Sequence, residues 1–231
     1  MRAGPLVLAA LALWPMTAVA RADALSQSHR SAPRPLAAAD APPPAGPGAA
    51  SPGAAARPGG AICGDPGLVG RTIPAIVGRI RGCGLAGGVE LREVSGVALS
   101  TPVIVDCRTA LSLRAWVDEG LKPAVGNRGG GVRQIDVRGS YACRPVNNRP
   151  GNRISEHGRG KAVDIGGFVL NDGEVLNVLW HWGRGARGRI LQAVQWTACQ
   201  SFGTVVGPAA DRAHRDHFHV DTARKTQGYC R

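Results

Sequence analysis

The stretch ISEHGRGKAVDIGGF, residues 154–168, sets one histidine seven positions before one aspartate, with mostly small residues between them. Gly158 and Gly160 permit backbone angles that other residues resist, so this segment predicts a sharp turn. The apolar run that follows predicts a strand, with Asp164 on it or just before it. The turn and the strand together would bring the side chains of His157 and Asp164 to one point.

A second motif near the C-terminus supplies further histidines. The stretch DHFHVDT (216–222) predicts a short strand, and because side chains alternate along a strand, His217 and His219 would share one face. A catalytic zinc ion takes three protein ligands and leaves a fourth position for water. A histidine of this strand would complete such a set with His157 and Asp164. Ligand atoms around one zinc ion would then lie roughly 3–4 Å apart.

The rest of the folded part mixes helices and strands without regular alternation. This pattern predicts an α+β class with a small, mostly antiparallel sheet and flanking helices. Asn171-Asp172-Gly173 separates two apolar runs and indicates a hairpin turn. Helical spacing and cap signals predict helices over 75–85, 102–121 and 187–202. Alternating apolar residues predict a strand or hairpin over 87–99 and strands over 132–144 and 216–222.

The motif SEHGRGKAVD fits the pattern S-x-H-x-x-G-x-A-x-D. It resembles the signature of the LAS metallopeptidases, which include lysostaphin-type enzymes and D-Ala-D-Ala metallopeptidases. The layout also resembles the bacterial extensin-like C-terminal domain family, which shares an early Cys-Gly pair, GSYACR at 139–144 and a closing HRDHFHVD. The resemblance covers about 61–231, with its specific motifs in 139–221. It implies an LAS-like fold and a zinc peptidase.

The resemblance also implies roles for single residues. His157, Asp164 and His219 would be the Zn²⁺ ligands. In the D-Ala-D-Ala branch, the general base is an acidic residue three positions before the last ligand, and Asp216 occupies that place. In the lysostaphin branch, the first histidine of H-x-H assists the chemistry, and His217 occupies that place. Strand alternation favours His217 near the metal, whereas the family pattern favours Asp216, so both remain candidates.

Arg144, in the stretch YACRPVNN, matches the arginine that follows a tyrosine in the D-Ala-D-Ala metallopeptidases. There it would donate hydrogen bonds to the oxyanion as it forms, because a guanidinium group stays charged and donates in a fork. Cys143 beside it is a departure from that family. A disulfide at Cys143 would either hold Arg144 in place or move it out of the site. The alternative is that Arg144 is one arginine among many, without a role.

Among the remaining polar residues, His214 would orient a ligand or cap a turn, and Asp221 would hydrogen-bond a ligand histidine. His181 lies between two tryptophans, where packing or contact with substrate is a better explanation than ligation. Ser155 fits a local turn bond better than a nucleophile, because the chain lacks a matching His-Asp relay.

The chain of 231 residues divides into three predicted parts. Residues 1–22 carry the charged start, apolar run and small-residue cleavage sites of a secretory signal peptide. Residues 23–60 are rich in Ala, Pro, Gly and Ser, which predicts a disordered linker. Residues 61–231 are long enough for one domain with its own core. We therefore expect export across the inner membrane to the periplasm or cell envelope, without a membrane span after cleavage; an uncleaved anchor is the alternative.

All six cysteines lie in the predicted domain: Cys63, Cys83, Cys107, Cys143, Cys199 and Cys230. An even count behind a signal peptide predicts three disulfides formed in an oxidising compartment. Six cysteines allow 15 pairings, and our working expectation is Cys63–Cys83, Cys107–Cys143 and Cys199–Cys230. A cysteine metal site is disfavoured, because the chain has no closely spaced cysteine pair.

The formal charge of +12 would favour an anionic partner such as an envelope polymer. The plainer alternative is an arginine-rich composition without a functional role. Nucleic acid is not expected as a partner, because only two tyrosines and three phenylalanines are available for stacking and no recognition motif is present.

Together these observations predict an exported zinc peptidase that hydrolyses amide bonds in peptidoglycan stem peptides or cross-links. Two alternatives stay open. One is a zinc-containing module of the same fold that binds the cell wall without cleaving it. The other is a disulfide scaffold without a metal. The oligomeric state is left open.

Overall fold

The computed structural model describes residues 61–223 and 228–231. The predicted signal peptide (1–22) and linker (23–60) lie outside the described residues. The strands, in chain order, are β1 Leu68–Ile73, β2 Ile76–Val77, β3 Gly84–Leu85, β4 Gly88–Val94, β5 Val97–Val105, β6 Val132–Gly139, β7 Ala162–Leu170, β8 Val175–Asn177, β9 Thr204–Val206, β10 Phe218–Asp221 and β11 Tyr229–Cys230. The helices are α1 Cys107–Trp116, α2 Lys122–Val125, α3 Val178–His181 and α4 Gly185–Ser201.

Within the described residues, one mixed sheet contains every strand except β2 and β3, which form a separate hairpin. Its order is β1-β4-β5-β6-β7-β10-β9-β11, with β8 also paired to β7. The pairs β5–β6 and β9–β11 are parallel and the others are antiparallel. The α+β class and the mostly antiparallel sheet are therefore confirmed, although with nine strands in the described part the sheet is larger than expected.

The hydrophobic core lies on one face of this sheet, beneath α1 and α4. Trp116 of α1 is buried against Phe168 of β7, with ring centroids 6.2 Å apart. Its indole Nε1 donates a hydrogen bond to the carbonyl of Val194 in α4, at 3.2 Å. The core side of β7 is apolar, because Val163 and Ile165 point into it. Alternation along the strand therefore turns Asp164 towards the other face.

The sequence misplaced two helices. Residues 75–85 form the β2–β3 hairpin instead of a helix, with Gly82 at φ 92° and Gly84 at φ 138°, values that L side chains rarely adopt. Residues 102–105 continue β5, whose inward-facing valines fill the core, so the predicted helix over 102–121 begins only at Cys107. There Asp106 caps the helix by accepting from the Thr109 amide at 2.7 Å.

The other predicted elements are confirmed with shifted ends, and residues 87–99 form the hairpin of β4 and the first part of β5. The hairpin turn at 171–173 joins β7 to β8, and the helix predicted over 187–202 is α4. The strand predicted over 132–144 is β6 and ends at Gly139, and the strand predicted over 216–222 is β10 and begins at Phe218.

All six cysteines are paired, as Cys63–Cys107, Cys83–Cys143 and Cys199–Cys230. The expected Cys199–Cys230 bond is confirmed, and the other two expected pairings are wrong. The physical reason is that the β2–β3 hairpin brings Cys83 to the segment after β6, while Cys63 lies beside the start of α1. Cystine bonds are compatible with a secreted protein.

None of the helices in residues 61–223 and 228–231 has the length and the apolar content needed to cross a bilayer.

Candidate metal centre

Three neighbouring strands set the position of the site. Asp164 on β7 lies directly opposite His219 on β10, and Gly139 at the end of β6 lies opposite Asp164 on its other side. The carboxylate is close-packed, because a Cβ atom at Gly139 would lie 3.3 Å from Asp164 Oδ2. The sheet thus holds an aspartate and a histidine from distant parts of the chain side by side.

His157 enters from a short 3-10 turn, Glu156–Arg159, just before β7. The turn ends at Gly160, which has φ 65° and is hence in the left-handed region, as the glycine pattern predicted. Gly158 is required for space instead, since a Cβ there would lie 3.0 Å from the sulfur of Cys83. Ser155 accepts a bond from the His157 amide at 3.4 Å, the predicted local turn bond.

The predicted ligand atoms converge. His157 Nε2 lies 3.1 Å from Asp164 Oδ2 and 3.1 Å from His219 Nδ1. His219 Nδ1 lies 3.0 Å from Asp164 Oδ1. Among the described residues, this trio forms a group of ligand atoms that one ion could contact together. Both histidines and the aspartate are largely buried, with His157 only 1% exposed.

The outer contacts of the two histidines fix which ring nitrogen carries a proton. His157 Nδ1 lies 2.7 Å from the Ser140 carbonyl oxygen, which can only accept, so Nδ1 donates. His219 Nε2 lies 3.1 Å from Asp221 Oδ2 and donates in the same way, as predicted for Asp221. In neutral imidazoles, the lone pairs then lie on His157 Nε2 and His219 Nδ1, the two nitrogens that face the centre.

The pKa values of Asp164 and His219 show that the Asp164 carboxylate is stabilised by positive charge from the two histidines. Burial alone would raise the pKa of Asp164, but hydrogen bonds and charge from His157 and His219 outweigh it and hold that pKa well below its usual range. Burial alone would lower the pKa of His219, but hydrogen bonds and charge from Asp164 and Asp221 outweigh it and raise the pKa to about 9.

This donor set fits a zinc ion. Two neutral imidazole lone pairs and a carboxylate within 3.1 Å of one another repel unless a proton or a cation lies among them. Ligands at about 2.0–2.2 Å from tetrahedral zinc would lie roughly 3.3 Å apart, close to the observed spacing. Bonds from ligand histidines to a carbonyl and a carboxylate are the usual outer support of such ions.

A further histidine borders the centre. His217 Nε2 lies 3.7 Å from Asp164 Oδ1, and its Nδ1 donates to Asp216 Oδ1 at 2.9 Å. The hydrogen bond from His217 lowers the pKa of Asp216, which therefore stays ionised. His217 lines the cleft described below, whereas Asp216 is half-exposed behind it and is not among the described residues that line the cleft.

The centre opens into a cleft of about 600 Å³. Arg144 lines it, as does His214, whose ring centroid lies 5.2 Å from that of His217. The Arg144 side chain has no ion pair or hydrogen bond with another described residue. The Cys83–Cys143 bond holds the segment next to it, and the Arg144 carbonyl accepts from the Ser155 amide at 3.0 Å.

His181 lies away from the candidate metal centre. His181 Nδ1 accepts from the Asn177 amide at 3.0 Å, in the α3 turn, and it does not line the cleft among the described residues.

Three groups in and around the candidate site were missed by sequence reasoning. The Ser140 carbonyl is a backbone group with no sequence signal. Asp211 caps the turn at 212–214, and its D-x-x-H spacing to His214 was a readable signal. Glu156 is buried between Arg153 and Arg159, at 3.3 Å from each.

Fold and site together define an α+β domain with three disulfides and a His-Asp-His candidate metal centre in a cleft. The family model described as "Extensin-like protein C-terminus" matches residues 69–231. The chain therefore belongs to this family, and that part of the sequence-based resemblance is confirmed. Searches of curated proteins and of solved structures returned no significant match.

Proposed function

We propose that this protein is an exported zinc-dependent peptidase that hydrolyses amide bonds in peptidoglycan stem peptides or cross-links. The observation that carries the proposal is the meeting of His157 Nε2, Asp164 and His219 Nδ1 at 3.0–3.1 Å, with a fourth polar side chain, His217, beside them in an open cleft. The motif resemblance to the LAS metallopeptidases supports the choice of reaction.

A zinc ion held by the three ligands would acidify a water molecule and polarise the scissile carbonyl group. His217 is the general base of the proposal. Its Nδ1 proton is committed to Asp216, so Nε2 is free to accept the proton of the attacking water and return it to the leaving amine. Asp216 acts as a positioning residue, because its carboxylate fixes the tautomer of His217 and stabilises the imidazolium form.

Arg144 is proposed to hydrogen-bond the carbonyl oxygen as negative charge develops on it. Arg144 lines the cleft, and its side chain has no hydrogen bond or ion pair with another described residue, so it is available to substrate. A permanently charged fork suits an oxygen that becomes negative in the transition state.

Peptidoglycan is proposed as the substrate on three grounds. The disulfides are compatible with a secreted protein. The net charge of +12 favours an anionic polymer. The cleft is lined by several polar and charged side chains, which could hydrogen-bond a peptide backbone.

The test is digestion of purified sacculi, with mass spectrometry of the released fragments. We expect release by the zinc-loaded protein, loss of release with a chelator, and more than about a hundredfold loss in Asp164→Ala. Asp172→Ala, in the hairpin turn, is the matched control and should retain activity. Release that is unchanged in Asp164→Ala would contradict the proposal. Firm binding to sacculi without release, at full zinc occupancy, would favour the non-catalytic module.

A further inference from the structure

The charges along the cleft lining are unevenly distributed. The segment 144–153 contributes two arginines, whereas the segment 211–214 contributes a carboxylate and an imidazole. The mechanism above uses Arg144 but leaves Asp211 and His214 without a task. These two residues form the strongest unassigned polar group that faces the same cavity.

Asp211 presents one oxygen atom that is free for a ligand. Its Oδ1 accepts from the Ala213 amide at 2.8 Å, the His214 amide at 3.2 Å and His214 Nδ1 at 2.8 Å. Its Oδ2 has no hydrogen bond with another described residue, and the side chain is 51% exposed while lining the cleft. Burial alone would raise the pKa of Asp211, but the bonds from His214 and Ala213 outweigh it and lower that pKa, so the carboxylate is ionised.

His214 adds a second acceptor. Because Nδ1 donates to Asp211, the neutral ring carries its lone pair on Nε2, on the opposite edge. The ring lies 5.2 Å from His217 and 6.0 Å from His219 between centroids, so it borders the reacting centre. A free carboxylate oxygen and a neighbouring imidazole lone pair accept hydrogen bonds, which is the complement of a group that only donates.

We propose that Asp211 and His214 form an ammonium-binding subsite, so that the cleft selects peptides that carry a free primary amine. The inference rests on the proposed function in that it takes the ligand to be a peptide. A primary ammonium group has three donors and one positive charge, and it therefore matches both acceptors and the carboxylate charge. An acetylated amine has lost the charge and two of the donors.

The nearby arginines do not neutralise the charge of the Asp211 carboxylate in the cleft. Arg212 and Arg215 flank the turn in sequence, but both are exposed and neither lines the cleft among the described residues. The other ionisable groups close to His214 are His217, whose outer nitrogen is bound to Asp216, and His219, whose outer nitrogen is bound to Asp221. Asp211 therefore provides the negative charge that faces the cleft at this point.

The test compares two synthetic probes, L-Ala-γ-D-Glu-L-Lys-D-Ala-D-Ala with free amines and the same peptide with both amines acetylated. Affinity is measured by calorimetry on zinc-loaded protein that carries His217→Gln, which prevents turnover during the titration. We expect acetylation to weaken binding about fivefold, the scale of a partly exposed ion pair. Adding Asp211→Asn should remove this preference. Asparagine keeps an acceptor for the turn amides, so the fold is retained.

Asp172→Asn in the same background is the matched control, since it removes one carboxylate outside the cleft, and the preference should persist. Equal affinities for the two probes, a preference that survives Asp211→Asn, or no binding of either probe would each overturn the inference. The readout is affinity and not turnover. A protein that binds the amine selectively without hydrolysing sacculi would contradict the proposed function alone, while hydrolysis without amine selectivity would contradict this inference alone.

Discussion

The histidines at the centre of the cleft share one arrangement, in which one ring nitrogen is bound outward and the other faces inward. His157 donates to a backbone carbonyl, His219 to Asp221 and His217 to Asp216. The outer acceptors fix the tautomers before any ligand arrives. In neutral imidazoles, the inward nitrogens present three lone pairs around the Asp164 carboxylate, an arrangement that a bound cation would stabilise.

Substitution of the His217–Asp216 pair should separate catalysis from metal binding. We expect His217→Ala to lower kcat by about 10²–10⁴-fold, because the proton acceptor is lost. Asp216→Asn should lower kcat by about tenfold, and Asp216→Glu should recover part of that loss. Zinc content and KM should stay close to wild type in all three, since neither residue is a ligand.

Kinetics on a soluble stem peptide, with zinc measured on the same samples, provide the check. A greater loss of kcat in Asp216→Asn than in His217→Ala would contradict the assignment and favour Asp216 as the base, as the family pattern suggested.

At the residue scale, the sequence predicted that His157, Asp164 and His219 meet, because a glycine-spaced motif and an H-x-H strand are local signals. It could not predict which of Asp216 and His217 faces the cleft, because that depends on where β10 begins. The strand begins at Phe218, and the residue before it still faces Asp164. The carbonyl of Ser140 could not be predicted at all, because every residue has one.

At the scale of elements, the Cys83–Cys143 bond connects the β2–β3 hairpin to the segment that supports the site. Ala142 donates its amide to the His157 carbonyl at 3.2 Å, and the neighbouring Arg144 carbonyl accepts from Ser155 at 3.0 Å. Gly158 packs against the Cys83 sulfur. This disulfide therefore positions both the turn that carries His157 and the backbone of Arg144.

Removal of this disulfide should lower activity more than removal of the Cys63–Cys107 disulfide does, although the two removals should cost similar stability. We expect the double variant Cys83→Ser, Cys143→Ser to lose about 4 kcal/mol of unfolding free energy, and to lose at least about tenfold more activity than its control. The control is Cys63→Ser, Cys107→Ser, which opens a loop of comparable length outside the cleft. Activity and urea unfolding measured together would decide, and equal activity in the two double variants would contradict the positioning role.

The β7–β8 hairpin is held by an ion-pair group around Glu174. Arg128 donates to both of its carboxylate oxygens at 2.7 Å, and Arg187 donates at 2.6 Å. These bonds lower the pKa of Glu174 from 4.5 to about 2. Because the folded pKa is the lower one, the stabilisation is complete above pH about 4.5 and is lost as the pH falls towards 2.

The free energy of unfolding of Glu174→Gln should differ from that of the wild type by an amount that depends on pH. We expect the variant to be less stable by about 1–2 kcal/mol at pH 7, since the two arginines are partly exposed. The difference from wild type should shrink steadily below pH about 4.5. Urea unfolding of both proteins between pH 7 and pH 3 measures it. A difference that is constant over this range, or absent at pH 7, would contradict the account.

Elements with local signals were predicted well, and those fixed by distant contacts were not. The Asn-Asp-Gly turn and the amphipathic α4 needed no tertiary information. Residues 102–105 look like the start of a helix, yet they remain a strand because their valines fill the core beneath α1. The disulfide pairing depends on which loops lie side by side, so sequence order gave the right partner only for Cys199 and Cys230.

At the scale of the whole molecule, the mixed sheet brings together segments that lie far apart in the chain. The turn at 156–159, β7 and β10 each contribute one residue of the His-Asp-His group, and the pairing of β7 with β10 fixes the register of Asp164 and His219. The register of the sheet therefore places the side chains of Asp164 and His219 side by side, next to His157. The loops at 144–153 and 211–214 line the cleft around that centre.

The most direct measurement is the zinc content of the purified full chain after gel filtration in metal-buffered solution, compared with Asp164→Ala. The account predicts about one zinc ion per wild-type chain and almost none in the variant, because two imidazoles without the carboxylate hold zinc poorly. Asp172→Ala should retain the wild-type value. A wild-type chain without zinc, or an Asp164→Ala chain that keeps it, would contradict the claim that His157, Asp164 and His219 form a metal centre.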